Sequence, residues 1–350
     1  MNHKRQPAAS VQDISRTKNA RPWMAWLIII GGTGVLALFM AFSITKGAVQ
    51  IPLSTVWDAL FHFNEESTHH LIVVDLRLPR VIASALVGTS FAVAGAIMQG
   101  MTRNPMADSG LLGLNAGAGF ALSICFAFFP NIRYLDLILC SFLGASLGAA
   151  LVSSIAATRR GAAAPMRLVL AGAAVSALLA ALSQGIALYF DVAQDIMFWT
   201  VGGVAGSNWA QIKIMFPLII GALFGAIALS RSISLLSLGE DVAKGLGLNT
   251  VVINALCSLL VLILAGTSVS VMGVVGFVGL IIPHLARYLV GVDYRWIIPS
   301  SAVLGALLMV AADLGARLIN PTFETPIGVL TALIGVPFFL YLSRKQRRAL

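Results

Sequence analysis

Few side chains in this 350-residue chain have the type and spacing that bond chemistry needs. His62, His69 and His70 share one stretch and could touch a metal, but no acidic or cysteine partner stands at ligand spacing, so they read as solvated loop histidines. No Gly-Lys dipeptide occurs, which excludes a G-x-x-x-x-G-K-S/T phosphate loop, and there is no H-E-x-x-H and no C-x-x-C. Asp313 is the one acid deep in an apolar stretch, and Arg317 follows four residues later on the same helical face, in the favourable acid-before-base order. They read as a structural ion pair, because a proton relay would need a second titratable partner from another span core.

The remaining acidic signal is Glu240 beside Asp241, in the segment RSISLLSLGEDVAKGLGLNT over 231–250. It is a mostly helix-forming insert between two long apolar stretches. Leu235, Leu236 and Leu238 offer an apolar face, and Gly239, Gly245 and Gly247 permit tight turns between two short helices. A membrane-embedded chain seldom keeps a compact amphipathic segment outside the lipid unless another protein grips it. The plainer alternative is an interhelical loop resting on the headgroups.

The elements around these residues follow from composition. With 58% hydrophobic residues, 11% charged and a mean hydropathy of +0.91, the chain is an integral membrane protein. The net charge of +9 does not indicate nucleic acid, since Lys and Arg cluster at the ends of apolar runs and in the tails. Cys125, Cys140 and Cys257 lie inside apolar runs as small packing residues.

A helix of about 20 apolar residues crosses a bilayer, and helices satisfy every backbone amide internally. Suitable runs occupy 24–45, 81–102, 109–130, 137–158, 168–190, 214–230, 245–286, 296–312 and 325–343. The run 245–286 is long enough for two crossings with a turn near Gly273, which makes ten. The Gly-rich stretch 196–212 reads as a short helix and turn that does not span. The first run follows a basic tail without a small-residue cleavage site, so it is expected to be a retained span.

Ten crossings put the basic tails, 1–22 and 344–350, on one side. With that side cytoplasmic, it also receives Arg103, Arg159, Arg160, Arg167, Arg231, Lys244, Arg287 and Arg295, leaving Lys46, Arg77, Arg80, Arg133, Lys213 and Arg317 at the other. Trp23, Trp26, Trp57, Trp209 and Trp296 flank the runs as an interfacial belt would. Gly113 with Gly117, Gly144 with Gly148 and Gly221 with Gly225 have the spacing that allows close helix approach in lipid. An echo, GTSFAVAG at 88–95 and GTSVSVMG at 266–273, hints at an internal repeat but is built from residues common in such a composition.

Four separated motifs, LRLPR (76–80), GAIMQGMTRNPMADSGLLGLNAGAG (95–119), GVVGFVGLIIPHLARYLVG (273–291) and ADLGARLINPTFETPIGVLTALIGVP (312–337), resemble the FecCD family of ABC importer permeases. The resemblance covers roughly 45–343, leaving the tail 1–22 as a basic cytoplasmic extension. It implies an all-α polytopic membrane protein of about ten spans with ABC type II importer permease architecture, residues 23–343 forming one permease domain in a bacterial cell membrane. It further implies a second permease subunit, identical or paralogous, two cytoplasmic ABC ATPase subunits carrying ATP and Mg, and an extracytoplasmic substrate-binding protein. No cofactor and no bond chemistry is expected in this chain, and no nucleic-acid partner.

The implied cargo is an iron(III)-siderophore, with vitamin B12 or haem as alternatives and an ATP-independent secondary transporter as the rival from another class. By resemblance, the 231–250 insert is the ATPase-coupling segment, carried by Leu238, Gly239, Glu240, Asp241, Ala243, Leu246 and Gly247. Arg77, Arg80 and Arg317 match the family arginines that receive acidic residues of the binding protein, a task suited to the planar guanidinium fork. From the residues alone, Arg77 and Arg80 are equally well read as span-end snorkels. The family's cytoplasmic constriction falls in the loop before the fifth span, here Ala163, Ala164, Pro165 and Met166. Gly172, Ser176, Ser183 and Gln184 give that span a mildly polar stripe, facing either a wet path or a neighbouring helix.

Overall fold

The expected apolar runs all fold as helices, and the described residues contain no strand. The computed structural model describes residues 20–47, 49–157, 164–201, 203–319 and 325–347, so most of the basic tail, Arg159, Arg160 and Ala163 lie outside the described residues. In chain order the helices are α1 (Pro22–Thr45), α2 (Leu53–Phe61), α3 (Thr68–Thr102), α4 (Leu114–Phe128), α5 (Tyr134–Ala157), α6 (Ala164–Tyr189) and α7 (Ala193–Val201). There follow α8 (Trp209–Leu238), α9 (Glu240–Gly245), α10 (Thr250–Met272), α11 (Val278–Val290), α12 (Tyr294–Ile319) and α13 (Ile327–Arg347). Seven of these are long and apolar enough to cross a membrane, and α4, α11 and α13 are shorter apolar helices, so the ten expected segments are all present. Leu38, Leu143, Leu178 and Phe224 stand exposed on the outer helices, a cost in water and the natural state in hydrocarbon.

α3 is the axis of the bundle. In its most apolar 18-residue stretch 83% of residues are buried, against 17% for α1. Close packing on α3 needs glycine at each crossing: a Cβ on Gly88 would lie 2.2 Å from the Gly305 carbonyl oxygen of α12, and one on Gly95 would lie 2.0 Å from that of Gly279 in α11. The expected pairs Gly113/Gly117 and Gly144/Gly148 meet each other, α4 against the middle of α5. Gly221 and Gly225 do not bring backbones together; Gly225 faces the Leu260 side chain and Gly221 faces open space.

Three element boundaries differ from the sequence reading. α3 begins well before residue 81, passing the LRLPR motif through a π-helical turn over Ile72–Arg77 that absorbs the amide and space lost at Pro79. α8 runs unbroken to Leu238, so the insert contains the end of a long helix and one short helix, where two short helices were expected. Ala164, Pro165 and Met166 open α6, with the proline in the first turn where its missing amide costs nothing, and are not loop. The 88–95 and 266–273 echo is not structural either: the first lies inside α3, while the second ends α10 at Gly273, whose φ of 80° turns the chain as expected.

Contacts sort the bundle into two ends. Val290 O accepts from the Arg21 amide, Tyr294 N donates to Ser234 Oγ, and a Cβ on Gly100 would strike Ile233 and Tyr294, so these residues and the 231–250 insert share one end. Arg77 Nη1 donates to Ile44 O and Trp209 Nε1 donates to Val74 O at the other.

Candidate functional site

At the first end, α8 stops at Gly239, whose φ of 129° and ψ of 148° belong to backbone that essentially only glycine adopts. α9 then starts with Glu240 and Asp241 in its first turn and Lys244 in its last, the order that suits the helix dipole. Ala243 is fully enclosed and is the inward anchor of α9. The Ala243 carbonyl accepts from the Leu248 amide, and Thr250 Oγ1 at the start of α10 donates to Glu240 Oε1 at 3.2 Å. α9 is thereby tied to α10, and the Ala243 amide, donating to Gly239 O, ties it back to the end of α8.

Lys244 Nζ lies 2.9 Å from Glu240 Oε1. That hydrogen bond holds the Glu240 carboxyl below its ordinary range against a smaller desolvation, with Thr250 and Arg103 helping. Arg103 caps the last turn of α3 in the left-handed conformation at φ 54°, with its guanidinium over the place where a Gly239 side chain would stand. The central helix therefore ends on the insert.

The insert offers an apolar patch to solvent among its charged groups. Leu238, Val242 and Leu246 are 65%, 50% and 62% exposed around the Gly239 joint, with Asp241 exposed beside them. Leu236 is buried, so of the leucines expected to form the outward face only Leu238 is well exposed. Val242 was missed by the sequence reading, although its spacing of four from both Leu238 and Leu246 was visible.

The other end gathers charge inside the protein. Arg80 Nε donates to Asp313 Oδ1 at 2.8 Å, and Arg317 Nη2 lies 3.0 Å from Asp313 Oδ2, with no exposure of the Asp313 side chain. Arg317 also donates to the Ser43 and Lys46 carbonyls, and Arg77 to those of Ile44 and Val49. The end of α1 has too few amides for its last carbonyls, with Ser43 O accepting from the Lys46 amide, and guanidiniums from α3 and α12 complete the cap and complement the helix dipole. The expected Asp313–Arg317 pair is present, and Arg80 is a third member that sequence distance concealed.

By resemblance Arg77, Arg80 and Arg317 were expected to receive carboxylates of a binding protein. They are turned inward: Arg77 and Arg80 are 8% and 9% exposed, and the Arg317 side chain 8%. The reason is local demand, since a buried carboxylate and carbonyls at and just beyond the end of α1 accept from them. Ser43, a fully buried residue that donates no sequence signal of its own, is brought into the same cluster by Arg317 Nη2.

Between the ends, Gln99 in α3 donates to the Gly279 and Leu280 carbonyls and accepts from Arg287, which also donates to the Tyr294 hydroxyl. This polar tie joins α3, α11 and α12 near the insert end, where Arg287 had been read only as a loop cation. On α6, Ser183 Oγ donates to Gly119 O and Ser176 faces Gly113, so these two hydroxyls meet the neighbouring helix α4, while Gln184 is exposed.

The profile of the FecCD transport family matches residues 35–345. The iron(3+)-hydroxamate import system permease protein FhuB of Bacillus subtilis (strain 168) is 52% identical over 333 residues, 95% of this chain and 86% of that protein. The ferric enterobactin transport system permease protein FepD of Escherichia coli (strain K12) is 37% identical, covering 90% of this chain and 94% of its own length. A solved structure described as a metal-chelate type ABC transporter in an inward-facing conformation superposes with a TM-score of 0.79 at 30% identity, over 91% of this chain and 99% of that one.

Proposed function

The chain belongs to the FecCD transport family, and from that premise we propose that it is the membrane permease subunit of an ATP-driven importer for an iron(III)-hydroxamate siderophore. The hydroxamate class is supported by the 52% identity to a permease of that named system, against 37% for the enterobactin one. The insert end faces the cytoplasm in this reading, in keeping with Arg21, Arg103, Arg231, Lys244, Arg287 and Arg295 gathered there.

One observation carries the mechanism: an exposed apolar patch, Leu238, Val242 and Leu246, sits on a glycine joint at the end of a 30-residue helix. At 1.5 Å per residue such a helix is about 45 Å long, enough to carry a displacement across the membrane. Two ATPase subunits grip the patch from the cytoplasm and hydrolyse ATP, while this chain breaks no bonds. Closure of the ATPase pair moves α9, and α8, α10 and α3 follow through Gly239, the Glu240–Thr250 bond and Arg103. The ATPase biases the permease only because it binds the two conformations with different affinity.

A second permease subunit, identical or paralogous, completes the path, and a binding protein delivers cargo to the arginine end. Docking of its carboxylates on Arg77, Arg80 and Arg317 stays part of the proposal. It uses the further donors of a five-donor group already engaged with Asp313 or α1 carbonyls. The start of α6, including Ala164, Pro165 and Met166, and Ser176 further along it, are assigned to the path by resemblance.

The test is capture and transport together. Tagged permease should copurify with its ATPase, and Glu240→Arg with Asp241→Arg should abolish both copurification and uptake of labelled iron(III)-hydroxamate. Uptake that survives loss of the ATPase removes the ATP-driven reading, and preference for a catecholate or haem corrects the cargo alone.

A further inference from the structure

The segment joining the first two spans is built for a membrane surface. α2 divides its circumference into three sectors. Val56 and Ala59 are buried against a cluster that includes Ile44, Val73 and Val310, while Leu53, Trp57, Leu60 and Phe61 form an exposed apolar sector at helical spacing. Ser54 and Asp58 make the third, polar sector, extended by His62, whose Nδ1 lies 3.5 Å from Asp58. Protein, hydrocarbon and water would each find one side, the arrangement of a helix lying in the interface plane, with the Trp57 and Phe61 rings tilted against each other at 4.4 Å.

Beside it, α1 and the loop leading to α2 enclose an open cleft of about 410 Å3. Leu38, Phe42, Ile51 and Leu53 form its apolar wall, and Gln50 and Lys46 its polar rim. This is the face of α1 opposite the arginine cluster: Ser43 and Ile44 are buried while Leu38 and Phe42 are exposed. Lys46 is the residue that ends α1, so its ammonium stands where the hydrocarbon gives way to headgroups, 5.5 Å from the Phe42 ring centroid. Among the described residues no carboxylate pairs with it.

We propose that this cleft is a binding site for an anionic phospholipid of the outer leaflet. One acyl chain lies along Leu38 and Phe42, and the headgroup phosphate accepts from Lys46 Nζ and from the Gln50 amide. The apolar wall sets the chain's position and the lysine selects the negative headgroup. The bound lipid would brace α2 against α1, whose far face holds the arginine cluster. Nothing in this reading depends on the cargo or on the ATPase.

The experiment uses the full chain in nanodiscs of phosphatidylglycerol, phosphatidylcholine or an equal mixture, with retained lipid counted by native mass spectrometry after detergent transfer. Retention of phosphatidylglycerol over phosphatidylcholine is expected, falling about fivefold in Lys46→Ala, the factor one interfacial lysine contributes. Lys213→Ala removes an exposed lysine at the same end, outside the cleft, and should leave retention unchanged. Because the Lys46 carbonyl, not its side chain, accepts from Arg317, the variant keeps the fold; Leu38→Trp, which fills the cleft, supplies an independent loss of both lipids. Equal retention of the two lipids, or equal effects of Lys46→Ala and Lys213→Ala, overturns the proposal. So does a photo-cross-linker at Leu53 that labels a second permease or a binding protein in place of lipid.

Discussion

Glu240 and Lys244 meet at 2.9 Å with about half of each side chain in solvent, while Arg80 and Asp313 meet at 2.8 Å with Asp313 wholly enclosed. Nearly equal distances carry very different energies. The exposed pair is screened by water and contributes roughly 0.3–0.5 kcal/mol, whereas removing one member of a buried pair strands a charge and costs about 3–5 kcal/mol. Apolar surface is distributed the other way. The insert leaves Leu238, Val242 and Leu246 in the open, whereas the arginine cluster itself is enclosed. The insert presents surface to its surroundings, and the arginine cluster is an internal clasp that fixes α1, α3 and α12 relative to one another.

The largest effect should come from opening that clasp. Asp313→Ala leaves Arg80 and Arg317 without their shared acceptor and is expected to destabilise the protein by about 3–5 kcal/mol, read as a lower Tm in detergent. A Tm unchanged by this substitution would mean the cluster is hydrated and the contrast with the insert is false. Leu238→Asp or Val242→Asp should do the opposite: little change in Tm, but ATPase capture weakened by about 1.5–3 kcal/mol per lost side chain. Loss of Tm with capture intact would show that the patch packs within the permease.

Gly239→Ala tests the joint. An alanine at this φ and ψ costs about 1–3 kcal/mol of local strain, so α9 should tilt and lose part of its coupling while the spans stay folded, measured as ATPase activity no longer stimulated by cargo. The smallest effect is expected for Lys244→Ala, about 0.3–0.5 kcal/mol in Tm at neutral pH. Its pH dependence has a definite sign. The Glu240 carboxyl is lowered in the folded protein, so the pair's contribution is present above the ordinary carboxylate range and disappears as pH falls through the lowered value. Wild type and Lys244→Ala should therefore converge in Tm at acid pH.

Much of the fold was readable because lipid imposes a simple rule: a span must be apolar and helical. The ten apolar segments, the turn at Gly273 and the Gly113/Gly117 with Gly144/Gly148 crossing all follow from local composition. Helix ends were less legible. Apolar runs end where charge begins, but α8 continues through Arg231 to Leu238 and α3 begins before Arg77, because a helix can carry charged residues beyond the hydrocarbon without losing its hydrogen bonds.

Of the two ends, the insert was located from the sequence, since Glu240, Asp241 and three glycines in an apolar chain stand out, but its helix boundaries and its outward face were not. Within it, only burial separates Ala243, the inward anchor, from Val242, the outward surface. The arginine cluster was found in part, through the spacing of Asp313 and Arg317 on one helix.

By itself the sequence determined the membrane class, the number of apolar helices and the place of the amphipathic insert between them, because these depend on side-chain chemistry summed over neighbours in the chain. The tertiary structure alone decided that Arg80 reaches Asp313 across 233 residues and that Arg77 caps α1, turning expected surface cations into interior ones. The physical reason is that a guanidinium goes wherever unsatisfied carbonyls and carboxylates are, and their positions are set by how helices cross, at Gly88 and Gly95, and not by where they lie in the chain.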